Sequence, residues 1–83
     1  MERREIDTGK IHSYLIDPER IEPEKTLAAL DGYDYLKVPP IPVFEIPEGL
    51  RTNDLEYALP DGNSRWLFSH VTSGKVLAIV FQP

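Results

Sequence analysis

The run Val76-Leu77-Ala78-Ile79-Val80-Phe81 places six apolar residues in a row. An unbroken apolar strand, unlike an alternating one, reads as a central strand buried on both faces. The rest of the chain must therefore supply strand neighbours on each edge and cover above and below. Only 83 residues are present to do this. Units below about 50 residues rarely hold a core, so the chain reads as one domain over 10–83, preceded by a loose or edge segment at 1–9. A domain of this size buries only about 60–65% of the surface its unfolded chain exposes, which predicts modest stability.

Upstream of that strand, the β-rich stretch Lys10–Ile16 places Ile11, Ser13 and Leu15 on one face and His12, Tyr14 and Ile16 on the other. Asp17-Pro18-Glu19-Arg20 turns the chain. Pro23 suits a first helical position, with Glu24 at the positive end of the dipole and Leu27, Ala28 and Leu30 as an apolar stripe. Gly32 is the expected C-terminal cap of that short helix. Tyr35–Ile46 reads as extended chain, in which Pro42 marks an edge strand, a strand start or a bulge because proline donates nothing to a ladder. Leu55–Leu59 alternates as a half-buried strand. The turn chemistry of residues 60–64 then opens a second helix over Arg65–Val71, with Trp66, Leu67, Phe68 and Val71 as its apolar side. The fold class is α+β (mixed α/β): a small sheet and two short helices in the order β-α-β-β-α-β.

The chain holds no cysteine, which removes disulfides, thiolate nucleophiles and cysteine metal sites, and fits a reducing compartment. No apolar run reaches the length of about 20 residues needed to span a bilayer, and the charged start Met1–Glu5 lacks the apolar stretch of a signal peptide. A cytoplasmic protein without a membrane partner is the expectation. The net charge of −5 weighs against nucleic-acid binding, which rests on phosphate contacts. The charge is uneven: only Asp61, Arg65 and Lys75 lie beyond position 60, so residues 1–60 carry a net −6.

The segment with most chemical content is Asp61-Gly62-Asn63-Ser64-Arg65, a strand–turn–helix junction. Unpaired N–H groups at the start of a helix favour anions. Gly62 admits close backbone approach, Asn63 and Ser64 add short polar groups, and Arg65 can fork onto a phosphate or carboxylate. The same spacing fits an ordinary capped helix with Arg65 on the surface or paired to Asp61. His70, five residues after Arg65, reads as a packing histidine near the helix C-terminus. His12 has no local partner. Asp54, Glu56 and Asp61 offer oxygen ligands but equally describe a solvent face. Trp66, Phe68 and Phe81 read as core rather than base-stacking residues, and Arg3 and Arg4 are outnumbered by nearby acids.

The line Pro39-Pro40-Ile41-Pro42-Val43, followed by a strand, a loop and Leu55–Arg65, resembles the ParB/sulfiredoxin-like superfamily. Members carry a proline–isoleucine strand, then a strand running into a Gly-x-x-Arg or Asp-Gly-x-His-Arg turn, a helix and a last apolar strand. Ile16–Ile21 resembles the exit of the family's opening strand, so the likeness spans roughly residues 10–82. The resemblance implies that Gly62 and Arg65 belong to a phosphate-binding turn that grips a nucleoside triphosphate in relatives. It also implies that Asp61 matches the aspartate of the nuclease-like variant.

Two departures qualify the likeness. Asn63 stands where sulfiredoxin has its cysteine, which excludes that chemistry here. Ser64 stands where the family has histidine, which puts hydrolysis in doubt. The partition proteins' helix-turn-helix domain and dimerisation tail find no counterpart in these 83 residues.

The leading expectation is a small domain binding a nucleotide or other phosphorylated ligand at Asp61–Arg65, with Pro40 and Ile41 as its wall. A catalytic version would hydrolyse phosphate esters with Mg²⁺, Asp61 holding the metal or orienting water and Arg65 neutralising charge. The alternative is a non-catalytic interaction module whose acidic surface meets a basic partner protein. A nuclease is the third choice.

Overall fold

The computed structural model describes residues 2–30 and 32–82. Its strands are β1 (Glu2–Asp7), β2 (Ile11–Ser13), β3 (Ile41–Glu45), β4 (Tyr57–Leu59) and β5 (Lys75–Phe81), and its helices are α1 (Pro23–Ala29) and α2 (Asn63–Thr72). From Ile11 onward the elements run strand, helix, strand, strand, helix, strand. β1 is added ahead of them, so the segment expected as loose or edge chain takes the edge form. The five strands make one mixed sheet in the order β1-β5-β3-β4-β2.

This sheet is strongly curled. β1 and β2 form its two edges, yet only a 3₁₀ turn of three residues, Thr8–Lys10, joins them. Five flat strands would put the edges about 19 Å apart. A 3₁₀ turn rises only about 2 Å per residue, too little to cross that distance. The edges must therefore bend toward each other. A hydrogen bond across the concave side agrees with this: Arg4 Nη1 donates to the Tyr57 hydroxyl at 2.8 Å, although β1 and β4 are separated by two strands.

The concave side holds the core, with Ile6, Ile11, Ile41, Val43, Tyr57, Leu59, Val76, Ala78 and Val80 packed around Trp66. Trp66 seals one end, its Nε1 donating to the Thr8 carbonyl at 3.1 Å. α2 packs on β5 and on the Thr8–Lys10 turn, and α1 packs on α2. The helices thus stack on one another instead of sandwiching the sheet.

That arrangement corrects three expectations. β5 is an interior strand, but only Val76, Ala78 and Val80 are fully buried. Leu77, Ile79 and Phe81 lie on the convex face and remain half-buried, because no helix is left to cover them. The stripe on α1 is also not buried: Leu27 and Ala28 are exposed, and the helix closes at Leu30, with Gly32 at φ +67° beyond it. Finally, the strand expected over Lys10–Ile16 stops at Ser13, leaving Leu15 80% exposed.

Pro42 is the second residue of β3, the strand-start alternative, within the central strand of the sheet, and the register explains why it is tolerated. β3 pairs with β4 only at Phe44 and Glu45, Phe44 lying opposite Ala58. Extending that register places Pro42 opposite Pro60, one residue past the end of β4. Pairing has already ceased there, so no β3–β4 hydrogen bond is lost.

Candidate functional site

β4 ends at Leu59, and Pro60 and Asp61 carry the chain to α2, which begins at Asn63. Gly62 is the N-cap residue and adopts φ +81°, ψ 28°, a left-handed conformation that costs glycine little. A Cβ at this position would lie 2.8 Å from Ile41 Cγ2 and 3.3 Å from Arg65 Nη2. The turn is therefore pressed onto the start of β3, where Gly62, Arg65, Pro40 and Ile41 come together.

The polar groups of the turn are largely engaged within the chain. The Gly62 N–H donates to the Asp61 carboxylate at 2.8 Å, so the protein's own anion sits at the positive end of α2. Arg65 Nη1 donates to the carbonyls of Pro39 at 3.0 Å and Pro40 at 3.3 Å. Arg65 therefore pairs with neither Asp61 nor any other acid among the described residues. Asn63 Oδ1 accepts from the Ser13 hydroxyl at 2.5 Å, and Ser13 Oγ in turn accepts from the Ile16 N–H at 3.1 Å. What stays open is backbone: the N–H groups of Asn63, Ser64 and Arg65 have no acceptor among the described residues. The Ser64 side chain is exposed.

Two residues that the sequence did not single out hold this junction. Ser13 ties the end of β2 to the turn, and its burial at the last position of an alternating strand was the available signal. Tyr33 fixes the chain after α1 onto α2: its hydroxyl donates to the Arg65 carbonyl at 3.3 Å and lies 3.0 Å from Ser69 Oγ, while its ring meets Phe68 edge-on at 5.8 Å. No local spacing announces that contact across more than 30 residues.

The remaining candidates fall outside the turn. His70 lies near the other end of α2, its Nδ1 2.7 Å from Thr8 Oγ1 and its ring stacked on Trp66 at 5.0 Å, so it packs the core seam. His12 meets Tyr14 edge-on at 4.6 Å. Trp66 is core, whereas Phe81 lies against Phe44 on the convex face at 5.6 Å. Glu56 is held by Lys10 at 3.3 Å and Arg51 at 3.5 Å. It stands before β4 and Asp61 after it, roughly 16 Å apart for a five-residue separation in extended chain. Among the described residues no group of three ligating side chains gathers to hold a metal.

Two surface clefts lie away from the turn. A cleft of about 620 Å³ opens between the chain before α1, α1 itself and α2, lined among others by Leu15, Ile16, Ile21 and Leu67. A second of about 820 Å³ lies beside Arg51, Asn53 and Asp54. Neither is lined by a residue of the Asp61–Arg65 turn. Among the described residues no helix is long and apolar enough to cross a membrane.

Fold and site together define a small mixed α+β domain: a five-stranded mixed sheet with two helices and a glycine-cornered turn at the head of the second. No family model, no curated protein and no solved structure matches the chain.

Proposed function

We propose that this domain is a non-catalytic interaction module whose acidic, apolar-studded surface holds a basic partner protein. The observation that carries this reading is the placement of its exposed large apolar side chains. Tyr14, Leu15, Leu27, Leu36, Phe44 and Leu50 all fall within the first 60 residues, the part with a net charge of −6. Exposed apolar groups on a segment of net negative charge are what a surface offers to a partner of the opposite sign: the charge steers the encounter and the apolar contacts hold it. The internal engagement of Gly62 and Arg65 supports the same reading, since it leaves the turn less to offer a ligand.

The test is affinity capture from source cells with the wild-type domain, Leu15→Ser and Arg65→Ala as baits, then calorimetry with the purified captured protein. A basic protein is expected, bound more weakly as salt rises, weakened about tenfold or more by Leu15→Ser and unaffected by Arg65→Ala. Binding that depends on Arg65, or ignores both salt and Leu15, rejects the reading.

A second reading is favoured by the open N–H groups of Asn63, Ser64 and Arg65 beside the Pro40–Ile41 wall: a nucleotide or other phosphorylated ligand binds at this turn. Its phosphate would displace the Asp61 carboxylate from the Gly62 N–H. Titrating ATP, CTP and GTP with Mg²⁺ while following the Gly62 and Ser64 amides by NMR tests it, and amides unmoved at millimolar nucleotide remove it.

A further inference from the structure

We propose that the Asp61–Gly62 peptide is a site of spontaneous backbone modification, where Asp61 converts to isoaspartate and unseats the head of α2. The reaction needs a backbone nitrogen free to attack the side-chain carboxyl of the residue just before it. Most described aspartates lack that arrangement. Asp17 precedes Pro18, which has no N–H. The N–H groups of Thr8 and Leu55, which follow Asp7 and Asp54, donate to the carbonyls of Gly74 and Thr52, both at 2.9 Å. The Asp34 carboxylate is turned to the Leu36 N–H at 2.9 Å, two residues on. At Asp61 the fold sets the reacting groups together. The Gly62 N–H meets Asp61 Oδ1 at 2.8 Å and donates to no backbone carbonyl among the described residues.

The carboxyl carbon lies one C–O bond of about 1.2 Å past that oxygen, which sets it about 3–4 Å from the nitrogen. Reacting atoms in a near-attack pair stand about 3–3.5 Å apart, so only a small side-chain rotation separates the two. Gly62 has no side chain to crowd the approach, and Asp61 is exposed to water. In the first step the Gly62 nitrogen bonds to Asp61 Cγ. The carboxyl C–O bond breaks, and its hydroxyl leaves with the amide proton as water, closing a succinimide ring. Water then opens the ring. Addition at Cγ restores aspartate, whereas addition at the main-chain carbonyl gives isoaspartate, with the backbone now routed through Cβ and Cγ. The carboxyl reacts in its protonated form, a small fraction at neutral pH, so the conversion is slow.

Its consequence follows from the packing of the turn. Isoaspartate lengthens the main chain by one methylene immediately before Gly62, where a single added carbon would stand 2.8 Å from the buried Ile41. The extra length must shift Gly62 or the first turn of α2. Either shift strains the bonds from Arg65 to the Pro39 and Pro40 carbonyls and the bond from Ser13 to Asn63.

The test ages the full chain in mildly acidic buffer, folded and in parallel unfolded in guanidinium chloride. Peptide mapping that separates aspartyl from isoaspartyl forms then reads every aspartate. It reads position 61 apart from Asp31-Gly32, whose aspartate lies outside the described residues. In the folded chain, isoaspartate is expected at position 61 at least as fast as in the unfolded chain. It should also run about tenfold or more ahead of Asp7, Asp34 and Asp54 in the same sample. The isoaspartyl form, isolated by chromatography, is expected to melt about 4 °C or more below the fresh chain. Conversion at position 61 that is slower in the folded chain than in the unfolded one overturns the proposal. So does conversion shared equally with the other described aspartates, or an isoaspartyl form that melts like the fresh chain.

Discussion

Gly62 and Ile41 are packed so closely that a single methyl at Gly62 would stand 2.8 Å from Ile41 Cγ2. Ile41 is fully buried in the central strand, so it cannot move aside cheaply. The contact joins the head of α2 to the start of β3. Gly62→Ala should therefore cost about 2–4 kcal/mol, from the left-handed backbone together with the clash. Gly74→Ala separates the two contributions. Gly74 has φ +73° with open space around its Cα, so that variant should lose only about 1 kcal/mol. Urea denaturation of both measures the difference, and equal losses would show that Ile41 yields.

Arg65 supplies the second link between the same elements. Arg65→Ala removes donors to the Pro39 and Pro40 carbonyls and should destabilise by about 1 kcal/mol, because both carbonyls then become hydrated. For a domain of this size that is a fall of about 4–8 °C in Tm. Arg65→Lys keeps one donor and should lose about half as much. An Arg65→Ala variant as stable as wild type would mean that the guanidinium is free for a ligand, and would favour the phosphate reading.

Neighbouring residues on β3 give a prediction that runs against side-chain size. Val43 is fully buried, whereas Phe44 is 50% exposed on the convex face against Phe81. Val43→Ala should cost about 2–3 kcal/mol through lost burial and the cavity left behind. Phe44→Ala removes a larger side chain, yet should cost about 1 kcal/mol or less, since half of it already faces water. Chemical denaturation ranks the two. If Phe44→Ala is the worse, the convex face is covered in solution.

The elements legible in the sequence were those whose signals are local. Leu59, Trp66 and Val76–Phe81 announced strand, helix and strand through alternation, a turn before a helix, and an apolar run. Residues 1–9 read only as a loose or edge segment, because Glu2–Asp7 carries one buried side chain, Ile6, and its pairing comes from β5, some 70 residues away. Ile41 was expected as the wall of a ligand site at the turn, not as a residue packed directly on Gly62, and the role of Arg65 there was not expected either. A guanidinium beside two proline carbonyls satisfies itself on the backbone, and neither charge nor spacing reveals an acceptor 25 residues upstream. Likewise, the apolar stripe of α1 implied burial, but a seven-residue helix resting on α2 rather than on the sheet leaves Leu27 exposed.

The charges of β1 also set a pH dependence. A hydrogen bond from Arg4, reinforced by its positive charge, holds the Glu2 carboxyl below its ordinary value of 4.5. A carboxyl group whose pKa is lower in the folded state stabilises the fold at pH values above the unfolded pKa, and that contribution fades as pH falls through the folded one. The Glu2–Arg4 contribution is therefore complete at neutral pH and disappears only in acid below the usual carboxylate range. Glu2 lies at the surface, so the contribution should be small and weaken with salt. Titrating the side-chain carboxyl carbons by NMR in wild type and Arg4→Met checks this: Glu2 should titrate low in wild type and return to the ordinary range in the variant. A Glu2 that titrates at the ordinary value in both would mean that Arg4 spends its charge elsewhere and is held by the Tyr57 hydroxyl alone.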